Sequence, residues 1–100
     1  MPLPSHSLTP SPSANANSVL TRFVSILKRT RTDKGLGLHQ KRLQYLAQNF
    51  DPFSGELSNE CQQVISFYQL DDFTADPFFF TTLLLQMLDQ LEERQRALRP

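Results

Sequence analysis

The chain has 100 residues with ten basic and ten acidic side chains, so its formal net charge is zero. This length sets an upper limit of one domain, and the balanced charge argues against binding nucleic acid through bulk electrostatics. Cys61 is the only cysteine, which excludes an intrachain disulfide. A zinc site would need Cys61, His6, His39 and carboxylates, at spacings unlike any compact metal motif. We therefore expect no metal, no cofactor and a small buried side chain at Cys61.

The charge is unevenly distributed along the chain. Residues 1–50 contain seven basic residues and one acid, whereas residues 51–100 contain three basic residues and nine acids. Six basic residues fall close together in the sequence: Lys28, Arg29, Arg31, Lys34, Lys41 and Arg42. We expect them to form a basic surface that binds a partner.

The first segment, residues 1–16, contains four prolines, four serines and no charged side chain. Too little apolar surface is available there to offset the entropy of ordering the backbone, so we predict a disordered tail before a helical domain over residues 17–100. The segment lacks the pattern of a secretory signal, and we expect a cytoplasmic protein. The alternative is an organelle transit peptide that is removed after about residue 32, because the first 32 residues contain no acid and end in a basic amphipathic segment.

Apolar stripes in the first half of the chain predict two helices. The first begins after Asn17-Ser18, which can cap its first amides, and ends at the turn signal of residues 33–35. Residues 35–38 (Gly-Leu-Gly-Leu) are expected to form a flexible link that tucks its two leucines under the neighbouring helices. It is not a phosphate-binding loop, because no Lys-Ser/Thr pair follows. The second helix is predicted over residues 39–50, where Leu43, Leu46, Ala47 and Phe50 are spaced by three and four.

The second half of the chain predicts two more helices, separated by turns. Residues 51–55 (Asp-Pro-Phe-Ser-Gly) are a turn signal, and Ser58 can cap a third helix that ends at Asp71-Asp72. Asp76 before Pro77 is the strongest start signal, because the Asp side chain accepts from a first-turn amide and Pro has no amide hydrogen. The fourth helix should reach about residue 98. The sequence thus predicts an all-α, four-helix domain with a long C-terminal helix.

No arrangement typical of catalysis emerges from the sequence. Cys61 and His39 fall on different predicted helices, but nothing supplies an orienting third group or an oxyanion hole. The adjacent carboxylates at 71–72 and 92–93 do not face one another on a helix or turn. Two Asp-Pro-Phe tripeptides, at 51–53 and 76–78, resemble peptides bound by endocytic adaptors, but turn and capping chemistry explains each Asp-Pro pair. We therefore predict a protein without enzymatic activity.

The predicted C-terminal helix supplies a second candidate surface. Beyond Leu91 it is longer than the other predicted helices can cover, and its leucines keep a four–three spacing that only Gln95 interrupts. The leucines of this apolar face are Leu84, Leu88, Leu91 and Leu98. We expect an interaction module (a small adaptor, regulator or accessory subunit) that binds another protein or a second copy of itself, as in a homodimer.

The alternative function is an accessory nucleic-acid-binding protein that uses the same six basic residues. Against this alternative, no aromatic residue is interleaved among the basic residues to stack on bases. We expect no membrane span, because the apolar run of the last helix is too short and is interrupted by polar side chains. No small-molecule substrate is evident from the sequence.

Overall fold

The computed structural model describes residues 12–51, 53–54 and 56–99, with side chains from residue 16 onward. Within these residues the chain forms four α-helices and one 3-10 turn, and it contains no strand. The helices are α1 (Pro12–Arg29), α2 (Asp33–Asn49), α3 (Asn59–Phe67) and α4 (Pro77–Leu98), and the 3-10 turn Asp71–Phe73 precedes α4. The predicted all-α, four-helix class with a long C-terminal helix is confirmed. Residues 1–11 of the predicted tail lie outside the described residues.

The central element of the fold is α4. It packs against α1 and α2, and α2 packs in turn against α3. The helices α2 and α4 are antiparallel, because the rings of Phe50 and Phe80 lie 4.4 Å apart at one end and the Gln95 amide donates to the Gln40 side-chain oxygen over 3.1 Å at the other. The buried side chains of α4 are Phe80, Leu83, Leu84, Met87 and Leu91. They form the middle of one apolar core, to which every helix contributes.

The start of α2 differs from the sequence-based prediction. The helix begins at Asp33 rather than at residue 39, and the flexible link predicted for residues 35–38 is wrong because these residues are helical. Thr32 caps the helix, since its hydroxyl accepts from the amide of Gly35 over 3.0 Å. Leu36 is fully buried, and this burial offsets the helix-weakening effect of two glycines. Leu38 is not tucked under a neighbouring helix but is half exposed.

The end of α1 is stabilised by a side chain from α4. The guanidinium of Arg94 donates to the carbonyl oxygen of Leu27 over 3.1 Å and to that of Lys28 over 3.3 Å. Carbonyls in the last turn of a helix have no partner within the helix, and a cation there also complements the helix dipole. The helix ends at Arg29, before the turn signal of residues 33–35. It begins at Pro12, before the predicted cap at Asn17-Ser18.

The starts of α3 and α4 are as the sequence predicts. The Ser58 hydroxyl accepts from the amide of Cys61 over 3.2 Å. The Asp76 carboxylate accepts from the amide of Phe79 over 3.1 Å, with proline as the first residue of α4. Cys61 is buried, as expected. Local capping chemistry thus sets both helix starts.

The end of α3 comes earlier than the predicted stop at Asp71-Asp72. The helix closes after Phe67 with a Schellman motif, in which the amide of Leu70 donates to the Ile65 carbonyl over 2.8 Å. Gln69 takes the left-handed conformation that this motif requires, with φ at 57°. The side chain of Leu70 is buried, and its packing stabilises the change of chain direction between α3 and the 3-10 turn.

Candidate interaction surface

The six predicted basic residues are divided among three regions of the surface. On α1, Arg29 lines a shallow recess on the outer side of the helix, whereas Lys28 lines a different recess beside Glu93 of α4. Arg31 is exposed in the connection between α1 and α2. The remaining three, Lys34, Lys41 and Arg42, all belong to α2.

One side of α2 combines these cations with exposed apolar groups. The residues of this side are separated by three or four positions in the sequence, so they lie on one face of the helix. We call this the α2 outer face; it consists of Lys34, Leu38, Lys41, Arg42 and Tyr45. Leu38 is 50% exposed and Tyr45 is 37% exposed, so the face is apolar as well as basic.

A groove runs between the α2 outer face and α3. It has a volume of about 470 Å³, and we call it the α2–α3 groove; its lining residues are Lys41, Arg42, Tyr45, Glu60, Gln63, Val64 and Phe67. The ring of Phe67 is 52% exposed there. The guanidinium carbon of Arg42 lies 4.6 Å from the centroid of that ring, which is a cation–π contact. The groove thus presents two cations and two aromatic rings together.

A second recess adjoins the groove at the start of α2. It has a volume of about 550 Å³, shares Lys41 with the groove, and is also lined by Lys34 and Leu38. The two depressions together make a continuous basic and apolar surface along α2. This surface has the composition of a binding site, because cations lie beside exposed apolar side chains.

Among the residues that the structure describes, the cations of the α2 outer face have no carboxylate partner. Within the described residues the one ion pair joins Glu92 to Arg96 over 3.7 Å. Glu60 lines the groove, but its oxygens lie farther than 4.0 Å from the nitrogens of Lys41 and Arg42. The charge of this face is therefore available to an anionic group from outside the domain.

Directly behind the groove, the two ring nitrogens of His39 contact Thr30, after the end of α1, and Tyr68, at the end of α3. The Thr30 hydroxyl has one hydrogen, which it donates to the Ile26 carbonyl over 2.9 Å. Its oxygen can then accept from Nε2 of His39, 3.5 Å away, which favours the tautomer with the ring proton on Nε2. With Nε2 protonated, Nδ1 of the neutral ring accepts from the Tyr68 hydroxyl over 2.6 Å. The network therefore favours a neutral His39 with its proton on Nε2.

The environment of this network keeps both titratable groups neutral near pH 7. Burial, and to a lesser extent the positive charge of Arg42, lowers the pKa of His39 below its ordinary value of 6.5. Burial raises the pKa of Tyr68 above its ordinary value of 10.0, and Arg42 acts in the opposite direction. Both ring nitrogens of His39 are directed at Tyr68 and Thr30, so neither is free to activate Cys61. The arrangement supports the wall of the groove, because the Tyr68 ring packs edge-on against Phe67 at 4.8 Å.

The leucine face predicted on the last helix points into the domain. Leu84 and Leu91 are buried, and Leu88 and Leu98 are partly buried against the core. The end of α4 does not project, because α2 starts six residues earlier than predicted, which extends it by about 9 Å at that end. The large apolar side chains that α4 does expose are Phe78 and Leu85.

Three contributors to the surface were missed by sequence reasoning. Leu38 was assigned to a buried link, although its spacing from Lys34 and Lys41 matches one helix face. Tyr45 lies four residues after Lys41, and the same spacing was the available signal. Phe67 comes from a different helix, and no pattern in the sequence connects it to α2.

Comparison of the chain with family models, curated proteins and solved structures found no match. Among the described residues, no three His, Cys, Asp or Glu side chains are grouped so that they would hold a metal ion. No helix in the same part of the chain is long and apolar enough to cross a membrane. The function must therefore be argued from the surface itself.

Proposed function

We propose that this chain is a non-enzymatic protein–protein interaction module, a small adaptor, regulator or accessory subunit, that binds an acidic, aromatic-containing segment of its partner. The α2–α3 groove is the binding site. The observation that supports this most strongly is the presence, in one groove of about 470 Å³, of two cations without a carboxylate partner and two partly exposed aromatic rings.

Each part of the groove suits a different part of such a segment. Lys41 and Arg42 attract carboxylates, and the guanidinium of Arg42 is already oriented by its contact with Phe67. Exposed aromatic rings and arginine are the side chains that most often carry binding energy at protein interfaces. Glu60, on the α3 side, repels carboxylates and therefore favours one orientation of an acidic segment.

The alternative is binding of single-stranded nucleic acid. One observation favours it: Tyr45 and Phe67 lie beside Lys41 and Arg42 in space, although no aromatic residue is interleaved with the six basic residues in the sequence. Cations that track a backbone beside rings that stack on bases are the features of such sites. Protein binding is favoured because Leu38 is half exposed on the same face and because a carboxylate, Glu60, lines the groove.

The proposal is tested by selecting random peptides displayed on phage against the folded protein. The control is the double variant Lys34→Glu/Lys41→Glu, in which both changed side chains are exposed, so the core is unaffected. We expect enriched peptides to combine Asp or Glu with Phe, Tyr or Trp, and to bind the variant at least about tenfold more weakly. Equal enrichment on both proteins, or none on either, would contradict the proposal.

The nucleic-acid alternative is tested on the same two proteins. A fluorescent single-stranded oligonucleotide is titrated at two salt concentrations. Binding that weakens steeply with salt, is lost in the double variant and exceeds that of the selected peptides would favour nucleic acid over protein.

A further inference from the structure

The segment around the start of α4 exposes carboxylates and a phenylalanine ring, which are the groups that the α2–α3 groove is proposed to bind. Asp71, Asp72 and Asp76 lie within residues 70–80, and no basic residue occurs there. Phe78, in the first turn of α4, is 88% exposed. We call residues 70–80 the acidic Phe78 segment. The segment thus carries three carboxylates and one largely uncovered aromatic ring. Asp71 and Asp72 line a recess with Arg22 of α1 but form no ion pair with it among the described residues.

The acidic Phe78 segment is held in a defined conformation. Asp76 caps α4 through the amide of Phe79, and the Phe79 ring stacks on Phe73 with 5.6 Å between centroids. Phe80 is fully buried in the core. Since these contacts fix the backbone on both sides of Phe78, little backbone conformational entropy remains to be lost when Phe78 is bound.

We propose that the α2–α3 groove of one copy of this protein binds the acidic Phe78 segment of a second copy. The carboxylates of Asp71 and Asp72 complement the charges of Lys41 in the groove and Lys34 in the adjoining recess, neither of which has an acidic partner among the described residues. The Phe78 ring supplies the apolar group that fits against Tyr45 and Phe67. The inference rests on the proposed function, since it names a second copy as the source of the acidic, aromatic-containing segment.

This contact joins two different surfaces, so it is head-to-tail. Each bound pair keeps one free groove and one free acidic segment, and further copies can add unless the rotation between neighbours closes a ring. The uneven charge of the two chain halves favours this arrangement over contact between like surfaces. Because the carboxylates and cations lie at the surface, salt weakens the contact.

The test is sedimentation velocity of the full chain from about 5 µM to about 500 µM, a range in which weak protein contacts become populated. At low salt we expect the average mass of the wild type to rise with concentration, and at high salt to fall towards that of one chain. Two variants remove one surface each. The groove variant, Lys34→Gln/Lys41→Gln, changes Lys41 of the groove and Lys34 of the adjoining recess. The segment variant is Asp71→Asn/Asp72→Asn/Phe78→Ser. Each variant alone should stay monomeric, because every contact needs one intact surface of each kind.

An equal mixture of the two variants separates head-to-tail contact from other arrangements. The segment variant keeps an intact groove and the groove variant keeps an intact acidic segment, so the mixture should form a dimer that cannot grow. A contact between two grooves, or between two acidic segments, would give a dimer of one variant alone and would overturn the proposal. A wild type that stays monomeric throughout would also overturn it.

A matched control separates the role of Phe78 from that of any exposed phenylalanine. Phe53 is 93% exposed in the turn before α3, so Phe53→Ser and Phe78→Ser both leave the core intact. Phe53→Ser should leave association unchanged, whereas Phe78→Ser should weaken it about tenfold or more, as expected for loss of an aromatic anchor. Equal effects of the two changes would overturn the proposal.

Failure of this inference and failure of the proposed function give different results. If acidic peptides bind the groove while the wild type stays monomeric, the proposed function holds and the second copy is the wrong occupant. If the variant mixture forms the dimer but no peptide is selected by the groove, self-association holds and a separate protein partner is the wrong interpretation.

Discussion

The inner and outer faces of α2 differ in whether their side chains are buried or have partners within the domain. On the inner face, Leu36 and Leu43 are fully buried and both nitrogens of His39 point at hydrogen-bond partners. On the outer face of the same helix, Leu38 is half exposed and Lys41 has no acidic partner within 4.0 Å. The inner face therefore contributes to folding, whereas the outer face retains binding capacity that a partner can use.

The largest effect that distinguishes the two faces is expected from a pair of leucines. Leu43→Ala should lower the free energy of unfolding by about 2–5 kcal/mol, because it leaves a cavity in the core. Leu38→Ala should change it by about 0.5 kcal/mol or less, since half of that side chain is already in water. Urea unfolding followed by circular dichroism measures both. Similar losses in the two variants would show that the outer face also contributes to folding.

A pair of tyrosines tests the hydrogen bond behind the groove. Tyr68→Phe removes the donor to Nδ1 of His39 and leaves a buried acceptor without a partner, which should cost about 1–3 kcal/mol. Tyr45→Phe removes a hydroxyl from the outer face and should leave the urea midpoint unchanged. An unchanged midpoint in Tyr68→Phe would mean that the buried network does not stabilise the fold.

The glycines at the start of α2 provide a comparison within one helical turn. A Cβ at Gly37 meets nothing within 4 Å, so Gly37→Ala should stabilise the protein by about 0.5–1 kcal/mol. A Cβ at Gly35 would lie 2.7 Å from Cγ2 of Thr30, whose side chain is held by its bond to the Ile26 carbonyl. Gly35→Ala should therefore be less stable than Gly37→Ala by about 1 kcal/mol or more. Thermal unfolding of both variants measures this difference in stability. Equal melting temperatures would contradict the close approach of α1 and α2.

The smallest expected effect is a dependence of stability on pH. Since the pKa of His39 is lowered in the folded state, the unfolded chain binds the proton more readily, and stability falls as the pH drops through 6.5. His39→Gln should be less stable than the wild type at about pH 7.5, and the difference should narrow at about pH 5.5. Urea midpoints at the two pH values measure it. A difference that stays constant would show that His39 titrates alike in both states.

The parts of the fold that the sequence predicted correctly depend on contacts between near neighbours. Asp76 and Pro77 set the start of α4 by capping, and Ser58 does the same for α3. The start of α2 was missed because Gly-Leu-Gly-Leu has weak helix propensity, and burial of Leu36 against other helices overrides that propensity.

The candidate site was predictable only in part, because its residues come from two different helices. The sequence singled out Lys34, Lys41 and Arg42 as basic residues. It did not indicate that Phe67 would lie against Arg42, because these residues belong to different helices and meet only when α2 packs on α3.

The sequence by itself determined the helical class, the long last helix and the basic and acidic halves of the chain. The helical class and the long last helix follow from periodicity and capping, which act over about four residues, and the charge of each half follows directly from its composition. Only the tertiary structure decided that the leucines of α4 face inward and that three of the six basic residues lie on one face beside exposed rings. The packing of helices sets which distant side chains meet, and that packing depends on the shape of the whole core rather than on any local pattern.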